Sequence, residues 1–166
     1  FILVFISNSK AEEDNIKYYS NDMGILSLIY HRFDESKYPS TNIQMSVFKD
    51  QINIIKDLNY KFYNPKNLEK NFKKEKNEKK ILITIDDGFS SFYENAWPYL
   101  KENKIPFILF VSTEAVGKSG YMTWDQIKEV EKVPTAFIRN HSHSHDYLVN
   151  FKSSDCTAFQ VLLFCD

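Results

Sequence analysis

The feature that most constrains this chain is a short run, Ile81 to Ile85 (ILITI), that ends abruptly in Asp86-Asp87-Gly88. The run is apolar and β-branched, as a strand covered on both faces is, and such strands belong to parallel sheets flanked by helices. Neighbouring residues of a strand point to opposite faces, so adjacent carboxylates converge only where the strand stops. Gly88 supplies the permissive backbone for that turn. Two carboxylates so close repel, and one tends to stay protonated unless a cation sits between them. Taken alone, Asp-Asp-Gly reads better as a turn that caps the next helix.

The rest of the pattern extends the α/β reading. Gly24 to Phe33 is a compact apolar run expected to form a buried strand. Phe48, Ile52, Ile55 and Leu58 recur at helical spacing within Ser46 to Asn59, which predicts an amphipathic helix. Lys61 to Asn64 reads as a short strand stopped by Pro65, and the Lys-, Glu- and Asn-dense stretch from Lys66 to Lys80 as a solvated surface. Ser91 to Asn103 predicts a helix in which Pro98 marks a kink or a first turn. Pro106 to Val111 predicts another buried strand, and Thr123-Trp124-Asp125-Gln126 a capping box opening a helix to about Lys132. Strands and helices alternate from residue 24 onward, the order of an α/β domain with parallel strands. A hydrophobic fraction of 43% suits a packed core, and a net charge of −1 carries no footprint of nucleic-acid or anionic-membrane binding.

A second motif follows at Asn140-His141-Ser142-His143-Ser144-His145-Asp146, which holds three of the chain's four histidines. His141 and His145 stand four apart, so one helical turn or a tight loop aims both the same way, the usual spacing for two imidazoles on one metal. The two motifs together supply a carboxylate and two imidazoles, with positions left open for water, and a second carboxylate to act as base. Open sites of this kind are catalytic rather than structural, and their chemistry is hydrolytic.

A strand ending in Thr84-Ile85-Asp86-Asp87-Gly88, followed some fifty residues later by His141-Ser142-x-x-His145, resembles the NodB-homology polysaccharide deacetylases (carbohydrate esterase family 4). Tyr30-His31 is similar to a Tyr-His at the first strand end in the members that act on poly-N-acetylglucosamine. The resemblance implies a partial, distorted (β/α) barrel, truncated after the early strands, in a domain over residues 24–152. It implies Asp86 as general base and Asp87, His141 and His145 as ligands of a divalent metal, foremost Zn²⁺, with Co²⁺ or Ni²⁺ also suited. His143 falls on the family's variable position and is not counted as a ligand. The implied reaction is hydrolysis of N-acetyl groups on an N-acetylglucosamine polymer, releasing acetate. Among the aromatics near the motif loops, Phe89 is the candidate for stacking on a sugar ring, while His31 reads as a hydrogen-bonded structural histidine.

The family also carries an Arg-x-Pro-aromatic motif and a Leu-x-His motif whose His is the general acid, and neither is found here: no His follows His145. Loss of a positioned acid costs on the order of 10²–10⁴-fold in rate. A non-catalytic carbohydrate-binding remnant of the same fold is therefore the alternative. Phosphoryl transfer of the haloacid-dehalogenase kind needs Asp-x-Asp, which adjacent Asp86 and Asp87 do not provide.

Phe1 to Ile6 is apolar and Ser9-Lys10-Ala11 follows with small residues flanking Lys10, the pattern of a signal-peptide remnant over residues 1–11 with a linker at 12–23. The expected location is secreted, periplasmic or cell-envelope, with no membrane span in the mature chain. Residues 133–166 hold only five of the 43 charged side chains and both cysteines, Cys156 and Cys165. Either a buried core segment or a frame error explains that shift, and residues 153–166 are left as an unassigned tail.

Overall fold

The computed structural model describes residues 25–67 and 79–146. In chain order the elements are β1 (Ile25–Tyr30), β2 (Arg32–Phe33), β3 (Asn42–Ile43), α1 (Met45–Asp57), β4 (Lys61–Phe62), a 3₁₀ turn (Pro65–Asn67), β5 (Lys80–Ile85), a π-helical turn (Phe92–Ala96), α2 (Trp97–Glu102), β6 (Phe107–Val111), α3 (Trp124–Glu131) and β7 (Ala136–Asn140). The expected leader, the linker, the charged stretch over 68–78, both cysteines and the tail lie outside the described residues.

The apolar β5 is the centre of the sheet. β1 runs parallel along one edge, from Ile25 opposite Lys80 to Tyr30 opposite Ile85. The other edge is shared: β4 pairs with Lys80 and Ile81, and β6 with Ile83 to Ile85. β7 continues the sheet on the far side of β6 through five pairs, from Phe107–Ala136 to Val111–Asn140. Among the described residues every pairing between these strands is parallel, as the alternation of elements predicts, so the C-terminal ends of β1, β5, β6 and β7 share one rim. That rim is where α/β sheets hold their ligands. β7 buries only Ala136, and its last two residues are exposed.

Phe33, Phe48, Phe92 and Phe107 are fully buried beneath the rim. Phe33 and Phe48 meet edge to face at 5.2 Å, and Phe92 and Phe107 at 5.5 Å, the arrangement the ring quadrupoles favour. α1 buries Phe48, Ile52 and Ile55 as its periodicity predicts. Leu58 instead caps that helix and is 58% exposed. With Leu26, Ile29 and Ile54 it lines an apolar cavity of about 470 Å³ beside β1.

Two elements depart from expectation. The strand anticipated over Gly24–Phe33 breaks at His31, because the β5 pairing ends at Ile85 and Arg32 and Phe33 pair with β3 instead. The helix anticipated over Ser91–Asn103 is wound wide at Phe92–Ala96 before α2 begins. Pro98 falls in the first turn of α2, where its missing N–H leaves no helical bond unmade. The Thr123 capping box forms as read: Thr123 N–H donates to Gln126 Oε1 at 2.8 Å, and Gln126 N–H to Thr123 Oγ1 at 3.3 Å.

Candidate metal centre

Asp86 leaves β5 with its N–H donating to the Tyr30 carbonyl at 2.8 Å, and the chain then turns sharply, Gly88 N–H reaching the Asp86 carbonyl at 3.0 Å. Asp87 and Gly88 both take the left-handed conformation, at φ 72° and 79°. A Cβ on Gly88 would meet only Val111, at an ordinary 3.7 Å, so the dihedral and not space demands glycine. Asp87 bears the same dihedral with a Cβ, a strain on the order of 1–3 kcal/mol that functional sites commonly hold. This turn brings both carboxylates to the rim.

The histidine segment reaches the rim from β7. His141 N–H donates to the Val111 carbonyl at 2.9 Å, which carries the ladder one residue beyond β7. The loop is then pinned to the end of β6 by Thr113 N–H to the Ser142 carbonyl at 3.3 Å and Glu114 N–H to the His143 carbonyl at 2.9 Å. His145 N–H closes back on Ser142 Oγ at 3.0 Å, and left-handed dihedrals at Ser142 and His145 complete the turn. A tight loop, not a helical turn, therefore aims His141 and His145 together.

The two motifs meet. His145 Nε2 lies 3.1 Å from Asp87 Oδ1 and 3.1 Å from His141 Nε2, while His141 Nε2 lies 3.5 Å from Asp87 Oδ1. One ligand atom from each of Asp87, His141 and His145 falls within 4.8 Å of the others. Asp87 Oδ1 is buried, yet neither imidazole approaches it with hydrogen-bond geometry, so it has no hydrogen-bond partner. A buried carboxylate oxygen left unbonded is costly. A divalent cation among one carboxylate and two imidazoles would satisfy it, and the donor set fits such an ion.

Asp86 stands beside this triad, 4.0 Å from His141 Nε2. Burial pushes its carboxyl above the usual carboxylate range; His141 and His31 pull it back, Asp87 adds to the rise, and His145 opposes it. His31 is thus an electrostatic neighbour of Asp86, and it makes no side-chain hydrogen bond among the described residues. That differs from the hydrogen-bonded structural role expected of it. Its half-buried position at the β1–β2 break follows from the β1–β5 register. His143 turns away from the triad to Thr113 Oγ1 at 2.9 Å.

Phe89 is only 5% exposed. The Arg32 guanidinium covers one approach at 3.4 Å from the ring centroid, and Tyr121 packs at 4.8 Å. Sugar stacking needs an open ring face, and Phe89 offers none in this arrangement. Ser91 is buried and accepts from Phe33 N–H at 3.2 Å, and Trp97 belongs to the core. A cavity of about 310 Å³ opens beside the triad, lined by Asp87, Ser112, Glu114, Tyr121, His143 and His145 among others.

A carboxylate and two imidazoles thus converge, with a second carboxylate beside them, on the C-terminal rim of a parallel α/β sheet. The polysaccharide deacetylase family model matches residues 73–160, and the chain belongs to that family. It is 30% identical over 182 aligned positions to the poly-beta-1,6-N-acetyl-D-glucosamine N-deacetylase of Staphylococcus aureus (strain N315), which covers 95% of this chain and 62% of that protein. Among solved structures it is similar to IcaB from Ammonifex degensii, with a TM-score of 0.65 and 29% identity over 82% of this chain and 59% of that one. It is also similar to the Streptococcus pyogenes deacetylase PplD in complex with acetate, with a TM-score of 0.64 and 25% identity over 79% of this chain and 62% of that one. The chain thus spans about 62% of the length of the Staphylococcus aureus relatives it matches.

Proposed function

We propose that this chain carries the catalytic rim of a metal-dependent deacetylase that hydrolyses the acetamide of N-acetylglucosamine units in a polysaccharide. The observation that carries the proposal is the convergence of Asp87, His141 and His145 around an unbonded buried oxygen, with Asp86 alongside. Asp87, His141 and His145 hold the cation, and Zn²⁺ suits two imidazoles and one carboxylate best. A bound divalent ion supplies Lewis acidity at the reacting carbonyl.

The chain's own residues move the protons. Asp86, raised by burial, takes a proton from water as the water oxygen attacks the acetamide carbon. When the carbon–nitrogen bond breaks, the departing nitrogen needs a proton, and we assign its delivery to His31, an electrostatic neighbour of Asp86 that stands outside the ligand triad. The products are acetate and a free amine on the sugar. A β-1,6-linked N-acetylglucosamine polymer is the proposed substrate, supported by the name of the Staphylococcus relative. An extracellular or cell-envelope workplace goes with such a polymer and with the leader-like Phe1 to Ala11.

The test is acetate release from a β-1,6-linked N-acetylglucosamine pentasaccharide by the zinc-loaded chain, beside Asp86→Asn. Release that Asp86→Asn abolishes supports hydrolysis. Zinc binding with no release from the unaltered chain would favour the non-catalytic binding role instead.

A further inference from the structure

The residues that close off Phe89 form a continuous stack leading away from the centre. Tyr121 lines the cavity beside Asp87 and His145. Its ring packs on Phe89 at 4.8 Å, the Arg32 guanidinium lies 3.4 Å from the Phe89 centroid, and the same guanidinium lies 4.0 Å from the Tyr38 centroid. Arg32 is held in place by Glu35 Oε2 at 2.7 Å, and its side chain is only 13% exposed. A guanidinium between two rings is fixed by cation–π attraction on both sides.

The outer member is different. Tyr38 is 38% exposed, although its backbone is fixed by Tyr38 N–H to the Glu35 carbonyl at 3.0 Å and Thr41 N–H to the Tyr38 carbonyl at 3.2 Å. Lys37 reaches over the ring at 5.3 Å on a flexible stem that a ligand can displace. The geometry is that of a pre-positioned aromatic platform: rigid behind, open to solvent in front, and coupled through Arg32 and Phe89 to the wall of the catalytic cavity. Rigid rings of this kind give contact area at low entropic cost.

We propose that Tyr38 is a stacking platform for a sugar unit of the polymer, neighbouring the unit whose acetamide enters the cavity, and that Arg32 positions its ring. The ligand is a neutral hexosamine ring presenting its apolar C–H face, consistent with the chain's near-zero net charge. This rests on the polysaccharide reading above.

The experiment is calorimetric binding of a β-1,6-linked N-acetylglucosamine pentasaccharide to the zinc-loaded chain and to its Tyr38→Phe and Tyr38→Ala variants. Tyr38→Ala is expected to weaken binding about three- to tenfold, the worth of one aromatic stack, with Tyr38→Phe within about twofold of the unaltered chain. No binding by the unaltered chain, equal binding by Tyr38→Ala, or equal loss in Tyr38→Phe would overturn the platform. Acetate release on the same samples separates the two claims. Release with Tyr38→Ala binding unchanged sinks the platform alone, and weakened Tyr38→Ala binding without release sinks the hydrolytic reading alone.

Discussion

The main-chain N–H of Asp86 donates to the Tyr30 carbonyl at 2.8 Å, which ties the proposed base to the strand end that bears His31. On the far side of His31, Ser91 Oγ accepts from Phe33 N–H at 3.2 Å and Asn95 donates to the Phe33 carbonyl at 2.9 Å. The segment that supplies the carboxylates therefore grips the chain on both sides of His31. The wide π-helical turn at Phe92–Ala96 contains Asn95, in keeping with the habit of such turns to mark functional sites.

The two proton-transfer roles are separable by mutation. Asp86→Asn and His31→Asn should each lower the rate of acetate release by about 10²–10⁴-fold. Zinc affinity should change little in His31→Asn, since His31 lies outside the ligand triad. Steady-state kinetics beside zinc titration decides the matter. A His31→Asn variant with unaltered turnover would remove His31 from the mechanism.

Helix α3 depends on its cap. Thr123→Ala removes the oxygen that accepts Gln126 N–H, and such losses cost about 1 kcal/mol. For a chain of this size that lowers the melting temperature by roughly 2–4 °C. Thermal denaturation of the two proteins checks the figure, and an unchanged midpoint would mean that the cap adds nothing to the fold.

Tyr30 makes stability sensitive to alkali. Burial raises its phenol from 10.0 to about 12, so the fold favours the neutral form. Its contribution is fully present below the unfolded value and is lost as pH rises through the folded one. Tyr30→Phe also gives up the bond to Gln51 Oε1, 2.8 Å away, and should be less stable near neutrality by about 0.5–1.5 kcal/mol. Between about pH 10 and 12 it should then lose less stability than the unaltered chain. Urea denaturation across that range would show two converging curves, and parallel curves would count against this role for Tyr30.

Local signals were legible in the sequence and non-local ones were not. β5, the Asp-Asp-Gly turn and the Thr123 cap are dictated by residues within a few positions of each other. The pairing of the two motifs was readable because each carries its own geometry and a resemblance joined them. A strand-end position near the site is legible for His31, but its lack of a side-chain partner among the described residues is set by the Tyr30–Ile85 register, which joins distant segments. Phe89 was misjudged for a related reason: the Arg32 that covers it arrives from β2. The break at His31 likewise follows from tertiary pairing, which local periodicity does not encode.

The central claim is that Asp87, His141 and His145 form one metal centre, and zinc titration of the unaltered chain beside an Asp87→Ala/His141→Ala double variant tests it most directly. The account predicts one zinc per chain, lost in the double variant while its far-ultraviolet circular dichroism is retained. Equal zinc binding by both proteins, or none by the unaltered chain, would contradict it.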